Sequence, residues 1–415
     1  MPIETEADAK QVTMRWTESQ EKLFQQLLKS IARSLAGESG PSFTYLIGNN
    51  GTGKSQQLAS VANHFATPTT GGPDVVACIS NAVYDRFTLG TRGRIEYLGA
   101  RTSGNAVFHT AIDRQVSKII LKGLVHGRKS IQLLEKTLDM TFSFAIGGSD
   151  SALERKQLDK LVDRRKLKGE TMSRFLTPEE RKLLVGLLAR ELKFSRLKRA
   201  EISALRKLLD LNPDVKIWVV KAGQSDRIDF NQLSTGEQNR ALTYAKILSV
   251  AGRNSLILID EPEISLHLHW QMTFHRSIVE LLSTFKNFHV VIATHSPLII
   301  SEGAKSHPTT NAAVIVLEAT ASAGKGIGLE VRSQSFKEIS SHERLVLDQF
   351  DTATYRTPVV DFEIAEAVLE AAEAPDSVAD VESRLGALFN KEGLTAEDKR
   401  HIGMAMKVVR QTLTH

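Results

Sequence analysis

Eight residues constrain this chain more than any others: Gly48-Asn49-Asn50-Gly51-Thr52-Gly53-Lys54-Ser55. They follow an apolar run, Phe43–Ile47, that reads as a buried strand. They precede a stretch of helical character from Lys54 to His64. The loop must curl so that its backbone N–H groups point inward, and glycines permit that path. The start of the helix adds the positive end of its dipole. Strand, loop and helix together make an anion cradle that matches the P-loop pattern in every defining position. Lys54 is the mobile cation for terminal phosphates, and the Ser55 hydroxyl suits Mg²⁺. The expected cradle comprises Asn50, Gly51, Gly53, Lys54, Ser55 and Gln56.

Three further motifs follow in order. Leu233-Ser234-Thr235-Gly236-Glu237-Gln238 places a helix N-cap, Ser234, ahead of a helix, and Gly236 lets backbone approach closely. Ser234, Gly236 and Glu237 therefore aim a second helix start at an anion. Leu256-Ile257-Leu258-Ile259-Asp260-Glu261 is an apolar strand ending in two carboxylates, where an α/β sheet binds its ligands. Asp260 would hold Mg²⁺, and Glu261 would act on the attacking water as general base. Ala293-Thr294-His295-Ser296-Pro297 ends another strand on a histidine whose neutral ring could sense a phosphate. Each motif alone has a bland explanation in turns and caps; their order and spacing argue for nucleotide chemistry, with ATP and Mg²⁺ as the expected cofactors and Glu261, His295 and Lys54 as the catalytic set.

This order resembles the ABC ATPase superfamily. The stretch Asp260-Glu261-Pro262-Glu263-Ile264-Ser265-Leu266-His267 is similar to soluble, AAA-like ABC ATPases of bacteria related to SMC proteins. Relatives of that kind occur in anti-phage modules such as Septu, PARIS and retron-associated systems, and in OLD-family nucleases. Glu343–Phe350 resembles the short helical tail of the Septu type. The resemblance implies that Ser234 and Gly236 of a second copy close over the γ-phosphate, so that hydrolysis needs a homodimer or a higher homo-oligomer. It also implies Ser265, Leu266 and His267 at the dimer interface. Where the family has a Gln after the second strand, this chain has Ile79-Ser80-Asn81-Ala82, so Asn81 stands as the candidate amide contact to Mg²⁺. Trp16 beside Arg15 is a candidate base contact, since Tyr45 lies inside a strand. His267, His269 and His275 invite a metal reading, but no Cys or acidic set completes a site.

The expected fold is α/β, an ABC-type P-loop ATPase with a mixed, mostly parallel sheet, a helical insertion and a C-terminal helical region. Residues 1–150 would hold the P-loop half of the ATPase, 151–210 a basic helical insertion, 211–333 the signature, Walker B and switch-histidine half, and 334–415 an acidic helical tail. A capped helix opens at Thr17, and strands are expected at Val75–Ile79, Met140–Ile146, Lys216–Val220, His289–Ala293 and Ala313–Leu317. The alternation of strands and helices from Val215 onward implies a parallel sheet.

Charge separates the two outlying segments. Ser151–Asp210 has 17 Lys and Arg against 9 Asp and Glu, a balance of +8. Lys337–His415 has 9 against 15, a balance of −6. The basic segment has the charge to follow a phosphate backbone, but it is poor in aromatic residues such as Phe175 for stacking on bases. DNA binding and protein docking both remain open for it. The tail carries no nuclease signature, so an effector nuclease or toxin is expected on a separate chain from a neighbouring gene. The single cysteine, Cys78, allows no intrachain disulfide, the N-terminus lacks a signal core, and no apolar run reaches the ~18 residues of a membrane span. A cytoplasmic protein without a membrane partner is expected. Its function would be a sensor or scaffold ATPase of an anti-phage complex, with a DNA-repair or chromosome-maintenance ATPase as the alternative.

Overall fold

The computed structural model describes residues 18–37, 42–67, 71–82, 85–88, 93–99, 112–146, 176–188, 190–211, 213–252, 254–264, 266–307, 311–321, 327–336, 339, 358–373, 377–390, 394 and 396–411. Thr17, Arg15, Trp16, Phe175, Ser265 and Glu343–Phe350 lie outside the described residues, as does the first part of the basic segment.

A seven-stranded sheet organises the chain. Its strands are β1 (Phe43–Gly48), β2 (Val75–Ser80), β3 (Ile95–Leu98), β8 (Ser255–Asp260), β9 (Phe288–Thr294), β10 (Ala312–Ala321) and β11 (Ile327–Ser335). The order is β11-β10-β1-β9-β8-β2-β3. Every pair is parallel except β10 with β11. Parallel strands must have both faces covered, which explains their continuous apolar character. Leu46, Cys78, Leu258 and Val291 face one side, against Leu23, Leu27 and Ile31 of α1 (Glu18–Leu35) and Leu58 of α2 (Lys54–His64). Ile47, Ile79, Ile259 and Ile292 face the other. They meet α3 (Ile112–Gly123), α7 (Thr235–Val250), α8 (Leu268–Leu282) and α9 (Pro297–Ser306).

A second, four-stranded sheet is antiparallel throughout: β4 (Met140–Ile146), β5 (Leu192–Lys193), β6 (Val215–Lys221) and β7 (Arg227–Asp229), in the order β5-β4-β6-β7. The expectation that the Lys216–Val220 strand continues the parallel series is corrected here. The strand alternates, with Ile217 and Val219 buried while Lys216 and Trp218 face outward. That period-two pattern belongs to an antiparallel sheet with one solvated face. Helix α4 (Arg128–Leu138) packs on β4, α5 (Pro178–Leu188) and α6 (Arg199–Leu209) pack on each other, and Phe144 stacks on Phe194 at 4.3 Å between ring centres. The described half of the basic segment thus has an apolar interior, and Phe194 is buried and unavailable to a base.

The tail is a three-helix unit, α10 (Pro358–Glu373), α11 (Val378–Phe389) and α12 (Ala396–Gln411), with its own small core. Among the described residues no helix is long and apolar enough to cross a membrane.

Candidate functional site

Strand register assembles the site. Ile47 lies opposite Thr294, Ala293 opposite Asp260, and Asp260 opposite Ser80. Four strand ends therefore share one edge, where their chains leave the sheet and a crevice opens. The P-loop leaves β1 here and runs straight into α2. Gly53 caps α2 at φ 90°, a left-handed conformation that glycine adopts without steric cost. Gly48 is constrained differently, because a Cβ there would stand 2.2 Å from the carbonyl oxygen of Leu317.

Lys54 is buried at this edge. Its Nζ donates to the carbonyl oxygens of Gly48 at 2.8 Å and Asn49 at 3.1 Å, and stands 3.3 Å from Nδ1 of His295. Burial lowers its pKa to about 8, while Glu263, Glu261 and Asp260 resist the shift. Ser55 donates its hydroxyl to Asp260 Oδ1 at 3.0 Å. Burial raises the Asp260 pKa to about 7; the Ser55 hydrogen bond opposes this, and the nearby Glu261, Asp85 and Glu263 carboxylates add to it. A buried carboxylate crowded by acids, with a hydroxyl beside it, is an oxygen donor set short of a cation. Ser55 and Asp260 fit Mg²⁺ on those grounds.

Glu261 adopts φ 50°, which a non-glycine residue pays for in strain of about 1–3 kcal/mol. Its amide donates to the Ala293 carbonyl at 2.9 Å, which fastens the turn to β9. Its Oε1 lies 3.5 Å from Nε2 of His295. Lys54 has only donors, so Nδ1 of His295 must accept and Nε2 must carry the proton, pointing toward Glu261. Burial first, and then the Lys54 charge, hold the His295 pKa below its ordinary value. The ring is therefore neutral near pH 7 and links the P-loop lysine to the Walker B glutamate.

Several residues of this network carried no role in the sequence reading. Glu263 accepts from the Thr294 hydroxyl at 2.8 Å and the His295 amide at 2.5 Å, so it fixes the switch segment to the Walker B turn. Ser296 donates to Gln271 of α8 at 2.8 Å. Asp85 accepts from Tyr97 at 2.7 Å and adds to the acidic field on Asp260. Lys246 is buried on α7, which lowers its pKa to about 8 against the pull of Asp85. The one available signal was polarity at positions flanking the motif residues, which turns and caps produce equally often.

The remaining candidates are placed as follows. Asn81 follows β2 beside Asp260, but its amide bonds to Thr243 of α7 at 3.1 Å, and no bond to Ser55 or Asp260 joins it to the cation donors. Ser234 caps α7 with Glu237 in a reciprocal box: the Glu237 amide donates to Ser234 Oγ at 3.3 Å, and the Ser234 amide donates to Glu237 at 3.0 Å. Lys221 holds Glu237 at 2.5 Å. Ser234 is exposed, and its side-chain bonds stay within this turn. Asn50 and Gly51 are exposed on the loop, and Gln56 lies in the first turn of α2. Tyr45 is buried and bonded to Nδ1 of His275 at 2.6 Å, whereas His267 and His269 are exposed at the head of α8.

The geometry is that of a P-loop site with Lys54, Ser55, Asp260, Glu261 and His295 gathered at one sheet edge. Residues 129–300 match the AAA ATPase domain family, a span that takes in the signature, Walker B and switch histidine and leaves the P-loop outside. A 75-residue stretch is 37% identical to protein ea59 of Escherichia phage lambda; it covers 18% of this chain and 14% of the length of that relative. Two solved structures align at low scores. A metal-chelate type ABC transporter in an inward-facing conformation gives 15% identity over 76% of this chain and 81% of its own, with TM-score 0.32. The Smc head domain bound to the C-terminal domain of ScpA, from Pyrococcus furiosus, gives 12% over 55% and 58%, with TM-score 0.23. Scores that low leave the functional argument to the site itself.

Proposed function

We propose that this chain hydrolyses ATP between two copies of itself and serves as the sensor or scaffold ATPase of a bacterial anti-phage complex, controlling an effector nuclease or toxin on a separate chain. One observation carries the catalytic part. Lys54, Ser55, Asp260, Glu261 and His295 meet at one sheet edge through direct contacts, while Ser234 is exposed to solvent and bonded only within its own turn. A site with phosphate holders and a base but no covering donor is half a site, and the exposed Ser234 turn has the chemistry of the missing half. Leu268 and Met272, one turn apart on α8 just after Walker B, are exposed at 64% and 42%. Closure of two copies would cover them.

In this mechanism the P-loop amides and Lys54 hold the β- and γ-phosphates. Ser55 and Asp260 would hold Mg²⁺, which neutralises phosphate charge when bound. Glu261 takes a proton from the attacking water, and the Nε2 proton of His295 positions the Glu261 carboxylate and the terminal phosphate relative to each other. The α7 start of the second copy completes the donor set around the γ-phosphate and excludes water.

The assignment to defence rests on the similarity of the Glu261–His267 stretch to that family and on the lack of a nuclease motif in the sequence. It is tested by co-expressing the chain with its neighbouring open reading frames. Protection against phage that is lost in Glu261→Gln supports the reading. ATPase activity stimulated by duplex DNA, with no protection and no partner, would favour the chromosome-maintenance alternative instead.

A further inference from the structure

The three-helix tail has a small core of its own, built on Val381, Leu385, Leu388, Ile402 and Val409, with the small Ala367, Ala371 and Ala405 on α10 and α12. Other large apolar side chains are left on its outside. Of the seven large apolar side chains left exposed among the described residues, four lie in this unit: Leu369, Phe389, Met404 and Val408. Leu369 is 58% exposed, Met404 51% and Val408 46%. A unit this small buries little area per residue and gains most from covering such a face.

The two outer stripes differ in charge. On α12, Arg400, Met404, Lys407 and Val408 recur at helical spacing and are all exposed. On α10, Glu366 and Leu369 share the exposed face of a helix that contains five acids and no base. The α12 stripe is apolar with the cations Arg400 and Lys407, and the α10 stripe is apolar with the carboxylate Glu366. We propose that the tail is a self-association surface for a second copy of this chain, in which α10 of each copy lies on α12 of the other. A twofold axis makes both contacts at once, since each copy offers both stripes. The opposite charges set the register, and Leu369, Met404 and Val408 supply the buried area. This interface needs no nucleotide, so it is separate from the ATP sandwich. It would hold two ATPase units together between rounds of hydrolysis, raising the effective concentration of each for the other.

The test uses the full chain without nucleotide, in sedimentation velocity or light scattering. The wild type is expected to be dimeric at low micromolar concentration, and Lys54→Ala is expected to remain so. A dimer that requires both ATP and Lys54 would belong to the sandwich and overturn the tail interface. Arg400→Glu with Lys407→Glu should weaken the dimer by at least about tenfold. Adding Glu366→Lys should recover part of that loss, which simple misfolding of the tail would not allow. Met404→Gln with Val408→Thr gives an independent, milder disruption, with ATP hydrolysis at high protein concentration as the check on folding. A nucleotide-free chain that stays monomeric, a dimer indifferent to both sets of changes, or a tail that binds only a different protein would each overturn the proposal.

Discussion

The proposed mechanism assigns the sheet edge and the signature turn to one nucleotide chemistry, yet their surroundings are opposite. At the edge, Lys54, Asp260, Glu263 and His295 are buried or half-buried, and the contacts Lys54–His295 and Ser55–Asp260 each span more than 200 positions of sequence. At the signature, Ser234 and Glu237 bond to each other, Lys221, sixteen positions before Glu237, donates to Glu237, and Ser234 is open to solvent. The edge is preorganised by strand register, which makes its geometry costly to change. The turn is preorganised only locally, as a helix cap. In the proposed mechanism its partner, a bound phosphate, comes from a second copy.

Lys54→Ala should produce the largest effect. It removes the buried P-loop cation of the edge, and phosphate release should fall by about three orders of magnitude along with nucleotide affinity. Glu261→Gln should lower hydrolysis by about two to three orders of magnitude while ATP stays bound and a nucleotide-dependent dimer accumulates. If that variant instead turned over at the wild-type rate, the edge would not contain the base. Ser234→Arg should leave ATP binding by one copy intact and reduce turnover by about tenfold or more, by blocking closure. Mixing Ser234→Arg with Lys54→Ala sharpens the contrast, because one of the two composite sites then has a sound P-loop facing a sound signature. Partial recovery of hydrolysis in the mixture is expected. No recovery would mean that the turn acts within its own copy.

The smallest effect concerns the interior beneath the edge. Burial holds His275 neutral, with a pKa lowered from 6.5 to about 3. Between those values the unfolded chain binds a proton that the folded chain does not. The contribution of this group to stability is therefore present above pH 6.5 and lost as the pH falls toward 3. Replacing Tyr45→Phe together with His275→Phe removes both the titration and the hydroxyl that would lose its partner. The acid-unfolding midpoint, followed by far-UV dichroism, should move to lower pH, whereas the signature turn offers no such buried group to remove.

The parallel core of the fold was legible because its strands are unbroken apolar runs that end in chemistry. Met140–Ile146 appears with the bounds the sequence suggests, and β1, α2, β8 and β9 differ by a residue or two at most. Strand β3, strand β11 and the two-residue β5 were not legible, since short or edge strands carry weak periodicity. Helices α3 and α4 were passed over for want of a motif to anchor them. At the site, each side chain with a chemical role lay inside a motif, while those that hold it in place lay outside.

The order of motifs, the helix starts that cradle an anion and the charge contrast between segments are properties of neighbouring residues, so the sequence alone determines them. Pairing between distant segments is another matter. Whether Val215–Lys221 joins the parallel or the antiparallel sheet, whether Asn81 meets a cation or Thr243, and how far Asp260 departs from an ordinary carboxylate all depend on what the rest of the chain brings alongside. Burial and hydrogen bonding at those positions are summed over many remote groups, and only the folded chain performs that sum.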